Sequence, residues 1–167
     1  YRETIDMLRS VVPNIALTTD VIVGFCGETR DHFEGSLDLI RDLRFDQVHV
    51  AAFSKRHGTI ADEWEDDVPA EEKMRRLHEV ERYQTEIAED INRQYVGSTA
   101  DVLLEEFVPS KAAINEPRWR GRTRANKLVF LPDTEGLVPG KIIPVHIVSA
   151  TPWSLRGSAT VATTAPR

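Results

Sequence analysis

The feature that most constrains this chain is a change of hydrophobic period close to Gly97. Before it, apolar residues recur at helical spacing or in short β-branched runs. After it they alternate in twos between Pro-, Gly- and Asp-containing turns. Such a chain needs two kinds of core, one built from helices on a sheet and one from strands closing on themselves.

In the first part, Ile5, Leu8 and Val12 share a helical face over residues 3–12, and Pro13 stops that helix. The run from Ile15 to Phe25 is apolar and β-branched, as expected for a strand buried on both faces of a parallel sheet, and Gly24 and Gly27 break it. A helix with Phe33, Leu37 and Ile40 as its stripe follows, and Phe45–Phe53 predicts a second buried strand. Helix–strand–helix–strand is the grammar of a parallel sheet with crossover helices. Two strands cannot close a β/α barrel, which takes about 200 residues or more. Standing alone, they would leave a large apolar patch in water. Residues 1–68 therefore read as the end of a larger domain, an expectation strengthened by a start at Tyr1 directly in a helical pattern. After an acidic loop, Pro69 opens a connecting helix over 69–95, with Tyr83, Ile87, Ile91 and Tyr95 as its apolar face.

The second part, 96–162, holds five candidate strands: 100–107, 118–123, 127–131, 141–148 and 154–161. Residues 163–167 are a tail. Five short strands in so few residues predict a small all-β barrel of the OB type. Charge divides along the same line. Residues 1–93 carry 12 Lys and Arg against 21 Asp and Glu, whereas residues 94–160 carry 8 against 6. The overall charge of −6 thus conceals a basic C-terminal half.

Four segments could carry chemistry. At the first strand end, Val23 and Gly24 lead into a glycine-containing turn and a helix N-terminus, a place where α/β folds hold ligands and where an ordinary tight turn is equally expected. At the second, Phe53, Ser54 and Arg56 leave the sheet on the same side, and Arg56 offers a fork for a carboxylate or phosphate. In the third segment, Arg118, Arg120, Arg122 and Arg124 fall on one face of a strand, followed by Lys127, with Trp119 on the opposite, core-facing side. Like charges stacked in this way repel and call for a counter-charge, and a phosphate backbone supplies one. The competing reading is a solvated basic strand. In the fourth, Trp153 either stacks a base or covers the barrel mouth, and Arg156 extends the basic face. The single cysteine, Cys26, excludes both an internal disulfide and a cysteine-rich metal site built by this chain alone. No apolar run reaches the ~20 residues of a membrane helix; no membrane partner and a reducing cytoplasm are expected.

The pieces TTDVIVGFCGET (18–29), FDQVHVAAFSKRHGT (45–59), RGRTRANKLVF (120–130) and ATPWSLRG (150–157), in this order, resemble the MiaB-type methylthiotransferases, a radical-SAM family. The resemblance implies the last two strands of a radical-SAM β/α barrel followed by an OB-like TRAM barrel. It implies methylthiolation at C2 of an isopentenylated adenosine beside the anticodon, with S-adenosylmethionine and two [4Fe-4S] clusters whose ligands are not in this chain. The segment alone would be inactive and would depend on upstream domains of its own full-length chain. By the same resemblance Val23, Gly24, Phe53, Ser54 and Arg56 border the S-adenosylmethionine pocket. The TRAM face of Arg118, Arg120, Arg122, Arg124, Lys127, Trp153 and Arg156 holds the anticodon stem-loop of tRNA. Cys26 departs from the family's GFPGET, where proline stands. The alternatives are a TRAM-type RNA-binding module without catalysis, and a sibling enzyme acting on a ribosomal protein or on threonylcarbamoyl-adenosine.

Overall fold

The structure, a computed structural model, describes residues 1–109 and 118–160. The candidate strand end at Val161 and the 163–167 tail lie outside the described residues. The chain divides into two compact units, Tyr1–Ala88 and Glu89–Arg167.

The first unit runs α1 (Arg2–Val11), β1 (Thr18–Val23), α2 (Arg30–Leu43), β2 (Gln47–Ala52), a 3-10 turn at Ile60–Asp62 and α3 (Ala70–Arg93), whose last residues enter the second unit. β1 and β2 pair in parallel, Thr18 opposite Gln47 through Val23 opposite Ala52. α2 begins where Thr29 accepts from the backbone of His32 while the His32 ring accepts from the backbone of Thr29, a reciprocal cap. It ends at Arg44 in the left-handed region. Phe33, Leu37, Ile40 and Leu43 on α2 are buried, as are Phe45 and Val48 around β2 and Val80, Ile87 and Ala88 on α3.

Two expectations are corrected here. Within this chain by itself β1 is not buried on both faces. Thr18, Asp20 and Ile22 are exposed and alternate with more covered residues, and Gln47, His49 and Ala51 are the exposed set of β2. The open face is therefore mixed polar rather than one apolar patch. The buried face of α3 is also not the apolar series expected. Lys73, Arg76, Gln84 and Asn92 are buried beside Val80, Ile87 and Ala88, while Tyr95 lies beyond the helix end. Gln84 donates to the carbonyls of Phe45 and Asp46 at 3.4 and 3.2 Å. A polar side chain with its own hydrogen-bond partners can take a core position that hydrophobic periodicity does not reveal.

The second unit is a closed barrel in the order β3 (Thr99–Val108), β4 (Arg118–Thr123), β5 (Leu128–Pro132), β7 (Leu155–Ala159), β6 (Ile142–Ala150), with β6 returning to β3. All pairings are antiparallel except β5 with β7. The core is Val102, Leu104, Trp119, Val129, Leu131, Val145, Ile147 and Leu155. Closing so small a barrel brings backbones close together. A Cβ on Gly121 would meet the Leu103 carbonyl oxygen at 2.5 Å, so only glycine fits there. Closure also leaves no free sheet edge, so whatever the barrel recognises must meet its outer face or its loops.

Candidate nucleic-acid interface

The two strand ends of the first unit come first. Val23 is fully buried, and its carbonyl accepts from Phe53 N at 2.8 Å. Gly24 has φ +68°, and a Cβ there would lie 2.2 Å from Lys73 Cγ. Its N–H donates to Glu28 Oε2 at 2.5 Å. Glu28 in turn receives Arg76 Nη1 at 2.6 Å, in a pair whose side chains are only 11% and 6% exposed. Lys73 Nζ reaches Asp66 at 2.5 Å and the Phe53 carbonyl at 3.3 Å. Phe25 packs edge-on against Phe53 and Trp64, with centroids 4.8 and 5.7 Å apart. The glycine that reads as ligand-friendly in sequence thus makes room for a lysine stem, and its N–H is already satisfied by the chain. Ser54 and Arg56 are exposed. Among these five residues the Val23 carbonyl and the Gly24 N–H already have partners within the chain. An iron–sulfur cluster would need ligands from elsewhere: Cys26 is the free cysteine, and no group of three His, Cys, Asp or Glu is gathered for a metal among the described residues.

Electrostatics reinforce the helical brace. Arg75 first, then Arg76, hydrogen-bond Glu72 and hold its carboxyl down to about 2 from an ordinary 4.5. Arg82 and Arg41 bracket the Tyr83 ring at 4.1 and 4.2 Å and lower its hydroxyl pKa.

The barrel presents the second candidate. Along β4, Trp119, Gly121 and Thr123 are buried, whereas Arg118, Arg120 and Arg122 face outward. The register carries this outer row across the sheet: Arg120 lies opposite Phe130 on β5, Phe130 opposite Arg156 on β7, and Arg156 opposite Ser149 on β6. The Arg118 guanidinium stacks on the Phe130 ring at 4.1 Å. Exposed Arg156 on the other side gives an aromatic ring flanked by cations, the combination that suits both phosphates and bases. The sequence offered no reason to select Phe130; only the pairing of three strands places it there.

Three expected placements differ. Arg124 is not on the strand face. Arg124, Ala125 and Asn126 form a hairpin loop, Asn126 takes φ +58°, and Thr123 and Lys127 close the loop through their backbones at 3.0 Å. Arg124 is exposed at that tip. Lys127 is buried rather than part of the solvent-facing row, its N–H donating to Thr123 Oγ1 at 3.1 Å. Counter-charge for the central arginines is also present within the chain. Arg120 Nη1 lies 3.2 Å from Glu106, Arg120 Nε 3.5 Å and Arg122 Nε 3.3 Å from Glu105.

Trp153 stands 56% exposed on a loop pinned at several points. Thr151 and Ser154 bond each other through backbone and hydroxyl, and buried Asn92 donates to the carbonyls of Thr151 and Pro152 at 2.9 Å each. A rigid loop presenting a bare indole loses little entropy on stacking a base. Asn92, at the end of α3, carried no sequence signal beyond being polar on a helix.

Residues 93–160 match the family model of the TRAM domain. The barrel is a TRAM domain. Similarity extends well beyond it. The chain is 45% identical over 161 residues to a tRNA-2-methylthio-N(6)-dimethylallyladenosine synthase of Roseiflexus sp. strain RS-1, covering 94% of this chain and 32% of that protein. It is 41% identical to proteins of the same name from Herpetosiphon aurantiacus (95% of this chain, 35% of that protein) and Chloroflexus aurantiacus (94% and 33%). The chain spans about a third of the length of these relatives and is homologous to them over nearly all of its own length. The outer row of Arg118, Arg120, Arg122, Phe130 and Arg156 is thus the surface of a TRAM domain that follows a piece of α/β sheet.

Proposed function

We propose that this chain is the RNA-holding third of a tRNA-2-methylthio-N6-dimethylallyladenosine synthase, and that its TRAM domain grips the tRNA whose modified adenosine lies beside the anticodon. The observation that carries this reading is homology over 94% of the chain to enzymes of that name. The outward arginine row on the TRAM barrel agrees with a phosphate-bearing partner. In this reading Arg118, Arg120, Arg122 and Arg156 meet phosphates, Arg124 reaches out from the hairpin tip, and Trp153 stacks a base of the anticodon stem-loop. Lys127, being buried, supports the hairpin.

S-adenosylmethionine and two [4Fe-4S] clusters would serve this reaction on residues outside the chain. The strand ends at Val23–Gly24 and Phe53–Ser54, with Arg56, would form one wall near the cofactor once the remaining strands are present. The chain alone then has no methylthiolating activity, and its workplace is the cytoplasm, where tRNA is modified. No helix is long and apolar enough to cross a membrane among the described residues.

The test is nucleoside mass analysis of tRNA from cells lacking the gene. The 2-methylthio-dimethylallyl adenosine should vanish and its unthiolated precursor accumulate. An unchanged nucleoside profile would overturn the enzymatic reading. Loss of methylthio groups from threonylcarbamoyl-adenosine alone would move the protein to a sibling activity.

A further inference from the structure

A bulge in β3 puts two consecutive carboxylates on one face of the barrel. In an unbroken strand side chains alternate, so Glu105 and Glu106 would fall on opposite sides. The β3–β4 register shifts between Leu104 and Glu106. Leu104 stays in the core while both glutamates reach the outer row. Such bulges re-aim side chains at the cost of one ladder position. Here the result is two carboxylates for the two central guanidinium groups of β4.

These pairs are loose. Their separations of 3.2 to 3.5 Å exceed those of a strong charge-assisted bond, and Arg120 Nε makes no hydrogen bond. The arginine side chains are 39% and 40% exposed and the glutamates 52% and 30%. Apart from the buried Arg120 Nε, water and ions reach both partners, and Arg122 keeps Asn126 at 3.1 Å through Nη1 while its Glu105 partner can be exchanged. Arg118 and Arg156 differ: one stacks on Phe130, the other stands exposed, and neither has a carboxylate partner among the described residues.

We propose that Glu105 and Glu106 are resident competitors of phosphate, holding Arg120 and Arg122 in the free protein and releasing them only to an RNA that brings phosphates to both. This rests on the reading that the arginine row binds RNA. The displaced carboxylates would take up cations from solution, offsetting part of the cation release from the RNA. Arg118 and Arg156 therefore dominate the salt dependence of the parent chain. Arg120 and Arg122 add to it fully once the glutamates are gone. The bulge thus restrains indiscriminate polyanion binding by a row that would otherwise carry four bare charges.

The experiment measures binding of the 167-residue chain to unfractionated tRNA by fluorescence anisotropy over a series of KCl concentrations. It compares the parent, the E105Q/E106Q double variant, R120A/R122A, and all four changes together. The double variant should bind about fivefold tighter at low salt, with a log–log salt slope steeper by about 1 to 2. That gain should disappear in the R120A/R122A background. Affinity and slope equal to the parent's overturn the proposal, and so does a gain that persists without the arginines, which would mark a mere change of net charge. The single variant E106Q, at the more exposed glutamate, gives the same decision if the double variant melts early. If R120A/R122A binds like the parent, Arg120 and Arg122 meet no phosphate and the proposal is overturned. If the parent does not bind tRNA, the RNA-binding reading itself fails. That outcome is separable from a parent that binds through the arginines yet ignores the glutamates.

Discussion

Two arginine–glutamate pairings in this chain use the same chemistry for opposite ends. In the first unit Arg76 and Glu28 meet at 2.6 Å with almost no exposure, and Glu28 also receives the N–H of Gly24. In the barrel Arg122 and Glu105 meet at 3.3 Å with both side chains partly exposed. Burial decides the role. A charge removed from water must keep its partner, so the first pair fixes the turn after β1. A half-exposed pair gains little from Coulomb attraction in high dielectric and can exchange its partner for another anion.

The largest test of this contrast is stability. Arg76→Ala leaves Glu28 buried without its guanidinium and is expected to cost about 3–5 kcal/mol, read by urea unfolding with hydrogen exchange over residues 1–88. Arg122→Ala should cost the barrel under about 1 kcal/mol by the same measurement. Equal costs would erase the distinction between a fixed and an exchangeable pair.

Acid should expose the fixed network next. Glu72 is held at about 2 by Arg75 and Arg76, against an ordinary 4.5. A carboxyl lowered in the folded state contributes stability that is fully present above the ordinary value and is lost as pH falls through about 2. The first unit should therefore weaken between pH 4.5 and 2, and Glu72→Gln should flatten that part of the profile. An identical acid profile in the variant would detach Glu72 from the brace.

The smallest expected effect concerns the turn that the brace secures. Glu28 N donates to Phe25 O at 2.9 Å, and Gly27 has φ +77°, which places Cys26 at the second position of a tight turn, where proline's fixed φ is favoured. Cys26→Pro should raise stability by about 0.4–1 kcal/mol by restricting the unfolded chain, seen as a higher midpoint in thermal melting. A lower midpoint would mean that the turn needs the Cys26 N–H or a different φ.

Much of this was legible in the sequence, for reasons that vary by region. The change of period at Gly97 separated sheet-and-helix from barrel. β4 was readable to the residue because arginine alternates with Trp119, Gly121 and Thr123 over its whole length. The exposed side of β1 was not, since Val21, Ile22 and Val23 look alike in a string although only one of the three is fully covered. Lys73 and Arg76 escaped notice because a charged residue on a helix usually faces water, and nothing local shows that Asp66 and Glu28 wait for them. Arg124 and Lys127 were misplaced because the hairpin bends after Thr123, a turn set by Asn126 rather than by the charges around it. Glu105 and Glu106 were invisible as partners, since a bulge is a property of two strands and not of one.

The most direct test of the central claim, that the outer row of the TRAM barrel holds tRNA, is the salt slope of tRNA binding after removing the two arginines that have no carboxylate partner among the described residues. Arg118→Ala together with Arg156→Ala should lower the log–log slope by about 2 and weaken binding, with the barrel still folded by circular dichroism. A slope equal to the parent's in a chain that still binds tRNA would place the RNA on another surface and contradict the account.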